Sequence, residues 1–407
     1  MKFSVSAKNV YVVNKNKNYK TKTLGLVSNE PNETNEYGGW VNKSLTPIGF
    51  VEKKYTSTGF FYTIKENNGW ILVDPKGHQF FSMALNSVEL DNDGFLKNYT
   101  ETGLNTLGCW SDWESINQKY KIPYTRRTKF LADYINTQPN KDLYKNKKII
   151  PVFGSFKNYC EEYAKQLSTT KDDSFLLGHF SDNEIFFYYS NSYGKVIDRF
   201  LILPENDDNY IYTINWLNSR GKTKNNFTDD DSADFREHVV DTYYKIVSSN
   251  IKKNDPNHLY LGTRFHGGAK QDSRIILTAA KYLDVISVNY YNSWNPYTKY
   301  MNMWVSSGKP FLISEFYVKG EDTDMENKEG AGWIVRTQKD RALFYTNFVI
   351  RSLRHSGCVG LHWHRYSDKN QTSNKGMLNS NFVWFNEMKE EVNNVLKCIY
   401  SFVEYLR

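Results

Sequence analysis

Two glutamates, Glu184 and Glu315, are the residues of this chain best placed to do chemistry. Each follows an apolar run, Glu184 at the end of residues 174–184 and Glu315 at the end of residues 309–315. Such runs are typical of buried strands, and two carboxylates at strand tips can serve as acid/base and nucleophile on a glycosidic bond. A separation of roughly 5–5.5 Å between them is expected for a retaining glycoside hydrolase.

The elements that must position these glutamates form an alternation of strands and helices. Eight apolar runs are predicted strands, with helical patterns between them such as Phe235–Ile251, where apolar residues recur with a period near 3.6. Eight such units predict an α/β fold, a (β/α)8 TIM barrel with its active site at the C-terminal strand ends. The predicted strands are Phe80–Leu85, Thr106–Trp110, Ile149–Phe153, Phe175–Phe180, Leu259–Arg264, Val285–Tyr291, Phe311–Glu315 and Val359–Trp363.

The first 75 residues have a different pattern. Short strand-like runs at Val10–Val13 and Phe60–Ile64 predict a small β-rich N-terminal appendage over residues 1–75, followed by the catalytic barrel over residues 76–407.

Composition and charge exclude several classes of protein. The chain has 407 residues and a net charge of +7 that is spread along the sequence, whereas a nucleic-acid binder concentrates its charge. No apolar stretch approaches the roughly 20 residues that span a bilayer, so no membrane partner is expected. Met1–Val13 lacks the apolar stretch of a signal peptide, which indicates a cytoplasmic protein or a leader already removed. The four cysteines have no metal-binding spacing, and the oligomeric state is not predicted.

Several motifs carry a resemblance to a known family. Residues 70–77, 103–108 and 178–184 resemble the β-agarase group, glycoside hydrolase family 50 and its relatives, and the resemblance covers about residues 60–400. Asn183-Glu184 on the fourth strand and Glu315 on the seventh look like the signature of the retaining clan A glycoside hydrolases. The resemblance implies that Glu184 is the acid/base, that Glu315 is the nucleophile, and that no metal or organic cofactor is needed. It also implies an oligo- or polysaccharide substrate, a galactan of the agar, porphyran or carrageenan type, sulfated or not.

Further residues are predicted to bind substrate or support the nucleophile. Alternation places Asn289 and Tyr291 on one face of the sixth strand. Clan members often place an aromatic hydroxyl from this strand against the nucleophile, so the resemblance implies this contact for Tyr291, with Tyr290 as the alternative. Many clan members carry an arginine near the end of the second strand where this chain has Cys109-Trp110, and Arg264 or Asn86 would replace it. The remaining predicted substrate contacts are Asn183, Asp182, Trp110, Trp294, His362 and Trp363, with Trp363 as the floor of a subsite.

Two other classes of protein remain open. His362 and His364 point the same way from one strand and, with His179, Asp182 and Glu184, are the ligand types of a metal-dependent barrel hydrolase. Trp363 takes the opposite face, so the histidine pair and Trp363 cannot both point into the barrel mouth. A barrel that binds carbohydrate without catalysis, or a β-galactosidase, β-mannanase or β-glucanase of the same clan, would also carry these residues.

Overall fold

The structure, a computed structural model, describes residues 3–26, 32–41, 43–46, 49–52, 55–67, 69–90, 95–369 and 372–407. Eight parallel strands are hydrogen-bonded in the order 5-4-3-2-1-8-7-6, and a parallel bridge between Phe265 and Val288 connects strand 5 to strand 6. The predicted (β/α)8 TIM barrel is therefore confirmed. Strands 1 to 8 of the barrel are Ser82–Leu85, Thr106–Leu107, Tyr124–Thr128, Leu176–Ser181, Leu259–Gly262, Ile286–Asn289, Phe311–Phe316 and Cys358–Trp363.

Helices surround the strands. The predicted helix over 235–251 is part of a longer helix, Asp229–Asn254, because Thr228 and Asp231 form a capping box that starts it earlier. The other α-helices are Phe95–Tyr99, Trp113–Lys119, Phe130–Thr137, Lys141–Lys147, Phe156–Tyr163, Val196–Leu201, Asp208–Ser219, Ser273–Ala280, Thr298–Ser306, Gln338–Leu353, Asn386–Leu396 and Ile399–Leu406. No helix in the described part of the chain is long and apolar enough to cross a membrane.

The third strand differs from the prediction. Ile149–Phe153 is buried but irregular, and the barrel instead uses Tyr124–Thr128. Pro151 removes one backbone donor from the apolar run, which disfavours a central strand. Because one strand replaces another, Glu184 still follows strand 4 and Glu315 still lies on strand 7.

The N-terminal region is rich in strands, and its first hairpin pairs with a loop of the barrel. Phe3–Val12 and Lys17–Leu26 form a hairpin that is extended by Ile334–Val335 and Lys319–Gly320 from the loop after strand 7. The other strands are the pair Lys43–Thr46 and Gly49–Glu52 and the sheet of Tyr62–Glu66, Gly69–Val73 and Gln79–Phe80. Residues 1, 2, 27–31, 42, 47, 48, 53, 54 and 68 of the predicted appendage lie outside the described residues. The boundary at residue 75 stays a prediction.

Candidate active site

Strands 6 and 7 present their side chains at the barrel mouth through irregular pairing. The register between strands 6 and 7 shifts at Val288/Asn289, which places Asn289 opposite Glu315. The register between strands 7 and 8 shifts again between Ile313 and Phe316. Such bulges re-aim side chains near the end of a strand. They bring Asn289 and Glu315 to the C-terminal end of the barrel, where Glu184 follows strand 4.

Glu315 is buried and held from two sides. Its Oε1 lies 2.6 Å from Nη2 of Arg264, and its Oε2 accepts a hydrogen bond from the Tyr291 hydroxyl. Burial by itself raises the pKa of this carboxyl, but the positive charge of Arg264 and the Tyr291 hydrogen bond outweigh burial, so the pKa lies below its ordinary value. Glu315 is therefore an anion at neutral pH, which is the state a nucleophile requires.

Glu184 has more contact with solvent. Its side chain is 28% exposed, its Oε1 accepts a hydrogen bond of 2.8 Å from Nδ2 of Asn289, and its Oε2 lies 4.0 Å from Nδ1 of His266. The Oδ1 of Asn289 in turn accepts a hydrogen bond of 2.8 Å from the hydroxyl of Ser314, which precedes Glu315. One amide side chain thus links the surroundings of both glutamates.

Arg264 connects Glu315 with Asn183, the residue before Glu184. Its guanidinium donates to Oδ1 of Asn183 at 3.0 Å and to the carbonyl oxygen of Ser314 at 3.0 Å while it pairs with Glu315. Asn86 also donates to the Ser314 carbonyl, at 2.9 Å. Arg264 thus touches the nucleophile candidate directly, and Asn86 reaches only its neighbouring backbone.

Trp110 covers this network from the open side. It is 37% exposed, and its ring centroid lies 4.2 Å from the guanidinium carbon of Arg264 and 5.4 Å from that of Arg127. Trp110, Glu184 and Arg264 all have a positive φ, between 53° and 63°. Non-glycine residues pay roughly 1–3 kcal/mol each for such conformations, which cluster at functional sites.

Trp363 and His362 of strand 8, which were predicted to contact substrate, are buried instead of lining the barrel mouth. Trp363 is buried on the helix side of the strand, where its indole packs against Phe316 and Tyr345 and donates to the Lys375 carbonyl. His362 is fully buried and lies 2.9 Å from the Ser82 hydroxyl. The aromatic contacts available outside the barrel decide which face of strand 8 turns inward, and they place Trp363 away from the site.

Two further residues that were predicted to contact substrate, Asp182 and Trp294, are held by contacts within the fold. The carboxylate of Asp182 accepts hydrogen bonds from the backbone of Leu131 and Ala132 at the start of helix Phe130–Thr137. Trp294 stacks on Tyr19 with ring centroids 5.1 Å apart and anchors the N-terminal hairpin. Both side chains are more than nine-tenths buried.

Two residues at the mouth, His266 and Lys270, were not among the predicted site residues, and a third, His364, was named only as a possible metal ligand. His364 lies between Trp110 and Tyr317, and burial lowers the pKa of its imidazole to about 4, so it is neutral at pH 7. His266 faces Glu184, and burial lowers the pKa of the nearby Lys270 to about 8. In sequence, His266 comes two residues after Arg264, the same spacing that singled out His364 after His362, and this spacing could have found His266. It gives no signal for Lys270.

The predicted metal-ligand set does not come together. His362 bonds to Ser82 and Asp182 to a helix start, whereas Nε2 of His179 lies 2.7 Å from Asp255. The described residues contain one group of clustered ligand types, His179 within strand 4 and Asp255 and His258 just before strand 5. Its imidazoles are already bonded to Asp255, away from the two glutamates.

The fold and the site together define a (β/α)8 barrel with paired carboxylates at the C-terminal strand ends, where barrel enzymes carry their active sites. The sequence is 24% identical to β-agarase B of Vibrio sp. (strain JT0107), over 83% of this chain and 46% of that protein. The crystal structure of BpGH50 matches with a TM-score of 0.83 and 27% identity, over 99% of this chain and 96% of that chain. The agarase AgWH50C matches in fold, with a TM-score of 0.73 and 18% identity over 91% of this chain and 67% of that chain.

These similarities confirm the resemblance to the β-agarase-like glycoside hydrolases of family 50 and do not extend it to clan A. No protein-family profile matches the sequence. The chain spans about half the length of β-agarase B.

Proposed function

We propose that this protein is a retaining glycoside hydrolase that cleaves β-linkages in a galactan of the agar, porphyran or carrageenan type. The observation that carries the proposal is the contrast between two converging glutamates, a buried Glu315 tied to Arg264 and Tyr291 and a partly exposed Glu184. The galactan substrate comes from the similarity to β-agarase B. The clan A assignment, from which the two roles are taken, is part of the proposal.

In the first step, the carboxylate of Glu315 attacks the anomeric carbon and the bond from that carbon to the leaving oxygen breaks. Glu184 gives its proton to the leaving oxygen, so the released sugar departs as a neutral alcohol. Arg264 and Tyr291 hold the attacking carboxylate in place, which saves the cost of orienting it during the reaction.

In the second step, a water molecule attacks the anomeric carbon of the glycosyl ester on Glu315. Glu184, now a carboxylate, takes a proton from that water, the ester bond breaks, and Glu315 returns as an anion. The two inversions at the anomeric carbon give net retention. The partial exposure of Glu184 provides a route for the water and the leaving sugar.

Two neighbouring side chains are suited to hold the sugar. The Oδ1 of Asn183 is occupied by Arg264, which leaves the amide nitrogen to donate to a sugar hydroxyl. The exposed part of Trp110 offers an aromatic surface to a sugar ring. We assign the subsite floor, for which Trp363 was predicted, to Trp110 and His364.

The test is a panel of agarose, porphyran, carrageenans, β-galactan, β-mannan and β-glucan, with Glu315→Gln alongside. We expect reducing ends from one galactan and none with the variant. NMR of the first product anomer then separates retention from inversion, and an inverted product would refute the double displacement. Hydrolysis of a mannan or glucan would change the substrate class, and binding without hydrolysis would favour the carbohydrate-binding barrel.

A further inference from the structure

A cavity of about 490 Å³ opens directly beside Glu184 and Asn183. Its floor is apolar and includes Ile149, Ile150 and Phe186. Ile149 and Ile150 belong to the run that was predicted as a strand, and in the fold they face this cavity from an irregular segment. The cavity is therefore continuous with the proposed acid/base and has the size and surface to receive a sugar ring.

Three cationic side chains, Arg127, Lys145 and Lys148, line the same cavity. Within the described residues none of the three is paired with a carboxylate, whereas Lys165 and Arg220 at the surface each have one within 2.6 Å. Arg127 and Lys148 are partly buried, and Nε of Arg127 is a buried donor without a partner in the described chain.

The carboxylates that line the cavity form no ion pair with these cations, although the charge of Arg127 acts to lower the pKa of Asp182 against the effect of burial. The oxygens of Asp182 accept from the backbone of Leu131 and Ala132 and from the Tyr243 hydroxyl. Glu184 is held by Asn289 at 2.8 Å. Unpaired like charges around one concave surface repel each other, and the low-dielectric floor strengthens their field, so the arrangement attracts an anion.

The cations and the floor recognise different parts of one ligand. Apolar side chains favour the C–H-rich face of a sugar ring. A guanidinium and ammonium groups favour a sulfate or carboxylate, with which they form charge-assisted hydrogen bonds. A neutral galactan would use the floor and leave the cations without an anionic partner, in contact only with aromatic rings such as Trp110 and Phe186.

We propose that this cavity is a subsite for a sugar residue that carries an anionic substituent, either a sulfate ester or a carboxylate, next to the bond that Glu184 protonates. Arg127 and Lys148 bind the anion and Lys145 adds charge at the rim. The position of the subsite relative to the cleaved bond rests on the proposed function. The binding of the anionic sugar does not.

The test measures, by calorimetry, the binding of three oligosaccharides of matched length to the Glu315→Gln variant. The first is a neutral agaro-oligosaccharide, the second a sulfated porphyran oligosaccharide, and the third an oligosaccharide that contains a uronate. We expect a charged oligosaccharide to bind roughly 10- to 100-fold more tightly than the neutral one, as for a hydrogen bond between charged groups. The advantage should shrink as salt is raised. Whether the sulfated or the uronate-containing oligosaccharide shows it identifies the anion.

Lys148→Gln and Arg127→Gln should remove most of this advantage, and they should weaken the binding of the charged oligosaccharide more than that of the neutral one. Lys147→Gln is the matched control. Lys147 is the last residue of helix Lys141–Lys147, directly before Lys148, and it is exposed and does not line the cavity. Arg127→Lys keeps the charge and should retain part of the advantage if Arg127→Gln unfolds. Equal affinity for neutral and charged oligosaccharides, or equal effects of Lys147→Gln and Lys148→Gln, would overturn the proposal.

The two proposals fail separately. Hydrolysis of neutral agarose without any preference for charged oligosaccharides would overturn the subsite and leave the glycoside hydrolase intact. A preference that depends on Lys148, in a protein that hydrolyses no glycan of the panel, would support the subsite and refute the proposed activity. Absence of binding by all three oligosaccharides would overturn the subsite.

Discussion

Strand 4 contributes to two clusters of polar side chains, and only one of them leaves donors and acceptors free to meet a ligand. Within the strand, His179 bonds to Asp255, which also bonds to His258, and all three side chains are fully buried. After its end, Glu184 keeps part of its carboxylate exposed beside a cavity, and Glu315 faces it across the mouth. A cluster whose polar groups satisfy one another stabilises a fold, whereas one that leaves donors and acceptors toward a cavity can act on a ligand.

The largest loss of activity is expected when Glu315, in the cluster at the barrel mouth, is replaced. Glu315→Ala should lower kcat by on the order of 10⁴-fold or more, because the nucleophile is lost. Added azide should restore part of the turnover on an activated glycoside by filling the space of the carboxylate. Stopped and continuous assays with and without azide measure this.

Glu321→Ala is the control for that experiment, because Glu321 is an exposed glutamate shortly after the same strand. It should leave kcat unchanged. If Glu315→Ala kept its turnover, the nucleophile would have to be another group.

Replacing Glu184 should have a smaller effect that depends on the leaving group. Glu184→Ala is expected to lower kcat on the natural glycan roughly 10²- to 10⁴-fold, the usual range for a lost general acid. A glycoside whose leaving group needs no proton should be spared in its first step. Equal losses on both substrates would argue against the acid/base role.

Tyr291 should shift the pH dependence as well as the rate. The Tyr291 hydrogen bond helps to hold the pKa of Glu315 below its ordinary value, so Tyr291→Phe should raise that pKa. Because Glu315 acts as the carboxylate, the acidic limb of kcat/KM should move to higher pH. The rate at the optimum should fall about 10- to 100-fold for the lost bond to a charged group.

Tyr290→Phe is the matched control, since the Tyr290 hydroxyl accepts from the backbone of Tyr297 and faces away from the glutamates. It should leave the acidic limb in place. An unchanged limb in Tyr291→Phe would mean that Arg264 alone sets the charge of Glu315.

Seven of the eight barrel strands could be predicted because their residues form apolar runs, but strand 3 could not. Tyr124–Thr128 carries Arg126, whose guanidinium reaches Thr170 and the Gln166 carbonyl at the barrel surface, so this strand has no apolar pattern. Ile149–Phe153 has the apolar pattern because it is buried, and it is not a strand. Burial and strand formation are separate properties, and the sequence reports the first more directly.

The same limit applies to strand 8. Alternation along the strand predicts that His362 and His364 share one face and Trp363 the other, but not which face points inward. That choice depends on Phe316 and Tyr345, which come from other elements and pack against Trp363. The two glutamates escape this limit because they lie at strand ends, where a polar residue after an apolar run is visible in the sequence.

Variants in the cluster of His179, Asp255 and His258 should change stability and hardly change turnover. Asp255→Ala removes the acceptor of two buried imidazoles and should cost about 3–5 kcal/mol of unfolding free energy, as for a broken buried pair. Asp255→Asn keeps one acceptor oxygen and should cost less.

The stability that Asp255 contributes should depend on pH. Its pKa is held low by His179 and His258, which outweigh burial. The stabilising effect is therefore present above the pKa of Asp255 in the unfolded chain and is lost as the pH falls toward its pKa in the folded protein. Urea unfolding of both variants at several pH values, with kcat measured on the folded protein, tests this. A loss of kcat without a loss of stability would mean that this cluster and the two glutamates are not separate in function.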